Sequence, residues 1–298
     1  MHVFVTGASG HIGSLVVREL LDNGHHVTGL ARSDAAAQAV AAAGADVVRG
    51  TIDDHGVLAT SAAAADAVVH LAFKHDFTDY AGAAQADLRA VEAMGAALAG
   101  SGKALINTSG TAMLAGGPSS APATETSPVD PAGLRAPSED ATLALAARGV
   151  RAAIVRLAPT VHGPTDRHGF VPTLIDHART TGQAIFVGDG ENRWPAVHNL
   201  DAARLYRLAV ESAPAGSRLH GVAEEAIPFR DIAEAIGKRL NVPTASVSPE
   251  EATDRLGFIG WVASLDNPTS SALTRELLAW RPEHSTLLAD LTNGAYFG

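Results

Sequence analysis

Met1-His2-Val3-Phe4-Val5-Thr6-Gly7-Ala8-Ser9-Gly10-His11-Ile12-Gly13-Ser14 opens the chain. A short apolar run ends in three glycines spaced three apart, and an apolar periodicity at Ile12, Leu15, Val16 and Leu20 follows. The run reads as a strand and the periodic stretch as an amphipathic helix. Between them Gly7 permits a tight turn, Gly10 lets backbone approach a pyrophosphate, and Gly13 lets the helix pack on the strand. The helix N-terminus then faces an anion with its free N–H groups and the positive end of its dipole. This context predicts a dinucleotide site built from Gly7, Ser9, Gly10, His11, Ile12 and Gly13.

The same alternation continues along the chain. Strand-like runs at 2–6, 26–30, 46–49, 67–71, 104–108 and 152–157 are separated by Ala-rich helical stretches. Such alternation implies parallel βαβ units, a sheet covered on both faces, and ligands at the carboxyl ends of the strands. The expected fold class is α/β, a doubly wound parallel sheet with a smaller, mainly helical C-terminal lobe. The expected boundaries are 1–158 for the nucleotide-binding domain, with about 196–222 returning to it, and 159–195 with 223–298 for a substrate lobe. Residues 110–137, rich in Gly, Pro, Ser and Thr, read as a long loop over the site. Past Pro159 the pattern predicts helices at 171–180, 201–212, 230–240, 249–256, 271–279 and 285–293, and strands at 184–187 and 218–222.

Composition narrows the function. A chain of 298 residues, 46% hydrophobic, can bury a large core. Its formal net charge of −10 argues against a polyanion-binding protein, so no nucleic-acid partner is expected, although local basic groups can still hold a phosphorylated cofactor. The absence of cysteine excludes disulfides and thiolate chemistry, and the 13 histidines show no compact ligand spacing, so no metal is expected. The first strand starts at once and no apolar run approaches the ~20 residues that span a bilayer. These features predict a cytoplasmic protein acting on a small molecule, with no membrane partner and a homodimer as the association left open.

The spacing Thr6-Gly7-x-x-Gly10-x-x-Gly13 resembles the extended and atypical short-chain dehydrogenase/reductase superfamily, in its epimerase/dehydratase-like branch. Further segments carry the resemblance. Gly50-Thr51-Ile52-Asp53 is similar to the segment that lies against adenine, with Thr51 in place of the usual acid. His70-Leu71-Ala72-Phe73 is similar to the fourth-strand motif that passes the pyrophosphate and ribose. Asn107-Thr108-Ser109-Gly110-Thr111 is similar to the segment that supplies a hydroxyl to the substrate oxygen. Asp87 stands in the place of the helix-four Asn, Arg156-Leu157-Ala158-Pro159-Thr160-Val161-His162-Gly163 resembles the loop that holds the carboxamide, and 193–203 resembles the returning segment. The resemblance implies cofactor contacts from Thr51, Ile52, Leu71, Ala72, Phe73, Asp87, Thr108, Pro159, Thr160 and Val161. It also implies Ser109, with Thr111 next, as the substrate-orienting hydroxyl.

Cofactor choice turns on Leu30-Ala31-Arg32-Ser33 after the second strand. An acidic residue there bonds a ribose 2′-hydroxyl, whereas an arginine accepts a 2′-phosphate. Ala31 stands at the acidic position and Arg32 and Ser33 can hold phosphate, so NADP is expected rather than NAD. The other reading makes Arg32 a solvated arginine and Asp34 the ribose ligand. Asp34 is already explained as the opening of an Ala-rich helix.

Family reductases and epimerases carry Tyr-x-x-x-Lys, and counting back from Ile154-Val155-Arg156 puts Arg135 and Glu139 at those positions. Either Arg135 binds a substrate oxygen or carboxylate and Glu139 the ribose hydroxyls, or the two form a plain i,i+4 surface pair. Lys74 and His75 are candidate proton donors. Tyr80, His162, Trp194 and His198 are expected to border the substrate. The resemblance implies an NADP-dependent oxidoreductase acting on a small organic carbonyl, imine or activated alkene. Its rivals are a non-catalytic NADP-binding sensor of the NmrA-like kind and a nucleotide-sugar epimerase or dehydratase.

Overall fold

Val3 and Val5 enter one apolar layer of the central sheet while Phe4, between them, enters the opposite layer. This is the alternation of a strand covered on both faces. The computed structural model describes residues 1–75, 78–116, 121–294, 296 and 297.

The first half runs β1 (His2–Thr6), α1 (His11–Asp22), β2 (His26–Ala31), α2 (Asp34–Ala42), β3 (Asp46–Arg49), α3 (His55–Ala64), β4 (Ala67–His70), α4 (Tyr80–Leu98), β5 (Ala104–Gly110), α5 (Ala136–Ala144) and β6 (Arg151–Leu157). The second half runs β7 (Thr160–His162), α6 (Phe170–Thr181), β8 (Ala184–Val187), β9 (Arg193–His198), α7 (Asn199–Ser212), β10 (Ser217–Gly221), β11 (Glu224–Pro228), α8 (Phe229–Leu240), β12 (Thr244–Val247), α9 (Pro249–Leu256), α10 (Phe258–Ala263), α11 (Ala272–Leu278) and α12 (Leu287–Asn293).

Seven parallel strands form the sheet in the order β10-β6-β5-β4-β1-β2-β3. The chain winds outward from β1 to β3, then crosses back to place β4 on the other side of β1. The two windings therefore part between β1 and β4, where doubly wound sheets open their ligand crevice. One apolar layer joins residues of α1 and α7 to the sheet, and the other joins residues of α3 and α4.

A second apolar cluster holds the remainder together around Trp194, Phe229, Ile232, Val262 and Leu287. Helices there accompany a three-stranded sheet, β11-β9-β7, and a two-stranded one, β12-β8. Strands β7, β9, β11 and β12 and helix α10 were not expected from local pattern. Neither β7, three residues long, nor β11, five residues long with a register shift between Glu224 and Ile227, carries a period-two apolar signal. Their pairing with β9 comes from distant chain. In the 110–137 stretch, Thr111–Leu114 is a short 3₁₀ turn and α5 begins at Ala136, while 117–120 lie outside the described residues. No described helix is long and apolar enough to cross a membrane.

Candidate cofactor and substrate site

The turn after β1 leaves no room for side chains. Gly7 has φ +69°, and a Cβ on it would meet Ala72 N at 2.8 Å; a Cβ on Gly13 would meet Gly7 O at 2.0 Å. The glycine turn, the start of α1 and the end of β4 thus approach more closely than any substituted residue allows. No side chain caps α1 at Gly10 and no acidic residue sits in its first turn, which leaves amide N–H groups for an anion. A cavity of about 690 Å³ opens here, lined by Gly7, Ser9, Gly10, Arg32, Thr51, Ile52, Leu71, Ala72 and Phe73, with Lys74 and His75 at its edge. Its size and its glycine-backed, cation-rimmed wall fit a dinucleotide.

The far side of the cavity has its own polar order. Ser33 Oγ accepts from Ala36 N and caps α2. Asp34 is paired with Arg49, which also donates to Ser33 O; Arg49 is a basic neighbour of Arg32 that sequence reasoning missed. Thr51 donates through its amide and hydroxyl to the Asp54 carboxylate at 2.7 and 2.8 Å, and these bonds hold Asp54 below its ordinary range. Lys74 Nζ lies 2.7 Å from Asp53 Oδ2, so its charge is matched on the cavity rim.

Behind the cavity a buried polar chain runs from the glycine turn toward Ser109. Thr6 Oγ1 accepts from Leu71 N and Ala72 N, both at 3.1 Å, which uses its two lone pairs. Its proton therefore goes to His70 Nδ1, 2.7 Å away, and the neutral His70 ring carries its hydrogen on Nε2. That nitrogen lies 3.3 Å from Asp87 Oδ1. Asp87 Oδ2 lies 3.5 Å from Arg135 Nη2, which donates to Thr108 O at 2.7 Å. Burial pushes the Asp87 carboxyl up, but His70 and the Arg135 charge outweigh burial and hold it below the carboxylate range. The Arg135 guanidinium sits 4.4 Å from the centre of the Phe73 ring, and its buried Nε has no hydrogen-bond partner among the described residues.

Ser109 is buried and its hydroxyl donates to Met113 Sδ at 3.0 Å, a weak acceptor. Thr111 Oγ1 accepts from Asn267 Nδ2, which ties β5 to the segment before α11. Thr108 Oγ1 donates to His70 O and lies 2.8 Å from Tyr206 OH. Burial pushes the Tyr206 phenol up, so this tyrosine anchors Thr108 rather than titrating. Burial and the Arg135 charge push the His75 imidazole below its ordinary value. Burial raises the Tyr80 phenol.

Other expected site residues are placed elsewhere. Glu139 does not pair with Arg135: both its oxygens turn to Arg156, with Nε at 2.9 Å and Nη2 at 2.7 Å, and both partners are buried. It is an internal counter-ion joining α5 to β6, not a group facing the cavity. Asp87 lies behind His70 and Arg135 rather than on the cavity wall. His162 is buried, with Nδ1 2.7 Å from Asp290 Oδ2, and its ring meets His198 edge-on at 5.3 Å. Burial is the largest cause of its lowered pKa. Trp194 is fully buried and donates to Val262 O, inside the second apolar cluster.

His198, Asp201 and His284 bring ligand-type atoms within 4.8 Å of one another. Asp201 already accepts from Glu283 N and His284 N, and His198 Nδ1 accepts from Leu200 N, so the group fastens the segment after α11 to the start of α7. Val161 O accepts from His11 Nε2 at 3.2 Å, which brings the 159–161 segment to the start of α1. Thr160 is buried and its hydroxyl has no partner among the described residues. Sequence reasoning quoted Thr6 and His70 within motifs without giving either a site role, and it missed Phe258 and Trp261, for which an aromatic pair at i and i+3 in so aromatic-poor a chain was the available signal.

A model of the NAD dependent epimerase/dehydratase family matches residues 3–220. An uncharacterized protein of Schizosaccharomyces pombe is 50% identical over 298 residues, 100% of both chains. A 4-hydroxy-2-methyl-3-oxo-4-farnesyl-3,4-dihydroquinoline-1-oxide ketoreductase of Stigmatella aurantiaca is 30% identical over 226 residues, 72% of this chain and 66% of that one. Among solved structures, the dTDP-glucose 4,6-dehydratase DesIV of Streptomyces venezuelae, with NAD and TYD bound, superposes with TM-score 0.80 at 21% identity over 99% of this chain and 96% of that one. The matched family model spans the glycine turn, the crevice between β1 and β4, and the whole parallel sheet: the chain belongs to the NAD dependent epimerase/dehydratase family.

Proposed function

We propose that this chain is an NADP-dependent oxidoreductase that reduces a small organic molecule at a carbonyl, imine or activated alkene. One observation carries the proposal. The Ser109 hydroxyl is engaged by a thioether alone among the described residues, and Arg135 is fixed at the carbonyl of the preceding residue, beside a wall of the cavity. A protein that only sensed dinucleotide would have no need of these two donors. The name of the Stigmatella aurantiaca relative, a ketoreductase, supports the same reading.

A reduced dinucleotide held in the cavity would supply the hydride. Ser109 donates its O–H to the acceptor oxygen, and the Arg135 guanidinium stabilises the negative charge that gathers there. An arginine stays protonated at all ordinary pH, so Arg135 is an electrostatic partner and not an acid. The product proton comes from water by way of His75, which lines the cavity with its ring 5.7 Å from that of Phe73 and whose imidazole is held below its ordinary value by burial and the Arg135 charge. Arg32 and Ser33 hold the 2′-phosphate. Residues 1–158 and 196–222 carry the cofactor, and 159–195 with 223–298 close over the substrate.

The test is NADPH oxidation with a panel of aldehydes, ketones, imines and enones. At least one member is expected to turn over, and Ser109→Ala is expected to slow it roughly 10- to 1000-fold, as when one oriented donor to a developing oxyanion is lost. Turnover untouched by Ser109→Ala would remove Ser109 from the chemistry. No turnover with any member, together with NADP-dependent binding of a macromolecule, would replace the enzyme with a sensor.

A further inference from the structure

Only 5% of the residues are aromatic, yet rings from three separate segments meet beside Arg135. Phe73 follows β4, Tyr80 opens α4, and Phe258 and Trp261 belong to α10. Ring centres are 5.8 Å apart from Phe73 to Tyr80, 5.7 Å from Tyr80 to Phe258, and 5.5 Å from Phe258 to Trp261. Tyr80 and Phe258 are stacked, with an interplanar angle of 30°. The ladder starts on the cavity wall, where Phe73 carries the Arg135 guanidinium, and ends at Trp261, which is 49% exposed. Phe258 also meets Phe170, ring centres 6.4 Å apart, and packs on the second apolar cluster, so the ladder joins the core at that ring and runs outward from it to the cavity wall on one side and to a half-exposed tryptophan on the other. Trp194, a true core residue nearby, is fully buried.

Charge narrows the ligand further. Arg135 is matched by buried Asp87, so the inner end of the ladder is close to neutral. A carboxylate or phosphate seated there would add negative charge facing Asp87, which is already ionised. A neutral carbonyl oxygen can take an N–H from Arg135 without that cost; its Nε–H has no partner among the described residues.

The geometry points to an uncharged planar aromatic carbonyl compound as the substrate class, with its oxygen at Ser109 and Arg135 and its ring along Phe73, Tyr80 and Phe258 toward Trp261. This inference rests on the oxidoreductase reading. In the step, the carbonyl carbon gains the hydride of the reduced dinucleotide, the carbon–oxygen π bond breaks onto oxygen, and that oxygen takes a proton from water. The acceptor leaves as an alcohol and the dinucleotide is oxidised.

Two measurements on the full chain separate the two ideas. With oxidised NADP present, 2-naphthamide, a planar carbonyl compound that hydride does not reduce, is titrated while tryptophan emission is followed. Trp194 and Trp280 are fully buried and Trp261 is half-exposed, so the part of the emission change that Trp261→Phe removes is assigned to Trp261, and that part should be the larger one. A saturable change is expected, with cyclohexanecarboxamide about tenfold weaker, the scale of two aromatic contacts. Phe258→Leu, checked for folding by circular dichroism, should weaken naphthamide severalfold and leave the cyclohexane compound unchanged. In the second measurement, NADPH oxidation with benzaldehyde should exceed that with cyclohexanecarboxaldehyde about tenfold in kcat/KM. Naphthamide binding without turnover of any aldehyde would overturn the oxidoreductase reading and keep the aromatic site. Equal turnover of both aldehydes without naphthamide binding would overturn the aromatic site and keep the oxidoreductase. Neither binding nor turnover overturns both.

Discussion

Asp87 and Arg135 face each other at 3.5 Å, Oδ2 to Nη2, at the inner end of a chain of polar contacts that begins at Thr6 beside the glycine turn. The links run from 2.7 Å at Thr6–His70 to 3.3 Å at His70–Asp87 and 3.5 Å at Asp87–Arg135, all buried or half-buried, and the tautomer of His70 follows from the hydrogen count at Thr6. The backbone of the nucleotide-binding turn and the cation proposed to meet the substrate are thereby held in one framework.

Asp87→Asn keeps the shape and removes the charge. Arg135 then loses its counter-ion while remaining largely buried, and unfolding stability should fall by roughly 3 kcal/mol, the scale seen when one partner of a buried pair is removed. A denaturation midpoint equal to that of the parent would show that the pair contributes nothing.

Arg32 lines the cavity and Arg49, already paired with Asp34, stands close by. Calorimetry should find NADP bound more tightly than NAD, with Arg32→Ala removing most of the difference while the weaker affinity for NAD changes little. Equal affinities in the parent protein would refute the assignment of Arg32 to a 2′-phosphate.

Glu139 and Arg156 form a two-pronged buried pair between α5 and β6. Glu139→Gln should cost about 3–5 kcal/mol in chemical denaturation, because the Arg156 charge stays buried without compensation. Adding Arg156→Met should recover part of the loss, since the desolvated charge leaves with its partner. A double variant as unstable as Glu139→Gln alone would place the defect in packing rather than charge.

His198 and His220 are both pushed down to about 4, chiefly by burial. The unfolded chain protonates these imidazoles near pH 6.5, whereas the folded one resists until about pH 4, so the unfolded state binds more protons in that window. Stability is therefore full above about pH 6.5 and falls by about 1.4 kcal/mol per pH unit for each such group as pH drops toward 4. His198→Asn retains an acceptor for Leu200 N and should flatten the slope between pH 6.5 and 4 without lowering stability at pH 8. An unchanged slope would assign the acid sensitivity to other groups.

The placement of residues around the cavity was legible because it is set locally. Gly7, Gly10 and Gly13 lie within one strand–turn–helix, and Leu71, Ala72 and Phe73 directly follow a strand whose apolar run marks it. Arg135 and Glu139 show where locality ends. They are i and i+4 at the start of a helix, a spacing that permits a pair, but Arg135 is the residue before α5 and turns to Thr108 and Asp87, while Glu139 turns to β6. Helix periodicity says which side chains share a face and nothing about what lies opposite that face.

The amino-acid sequence by itself determined the parallel doubly wound sheet and the dinucleotide turn, because strand alternation, helix periodicity and glycine placement act over a few residues. Tertiary structure alone decided which buried charges meet and where the aromatic rings gather. Asp87 reaches Arg135 across 48 residues of chain, and Phe258 and Trp261 reach Tyr80 from a six-residue helix that starts just after Gly257 at φ +59°. Such pairings carry no periodic signature. They are selected only when the packed chain brings segments far apart in sequence within reach and takes most of the water from the groups that meet, as at Asp87, which then faces both His70 and Arg135.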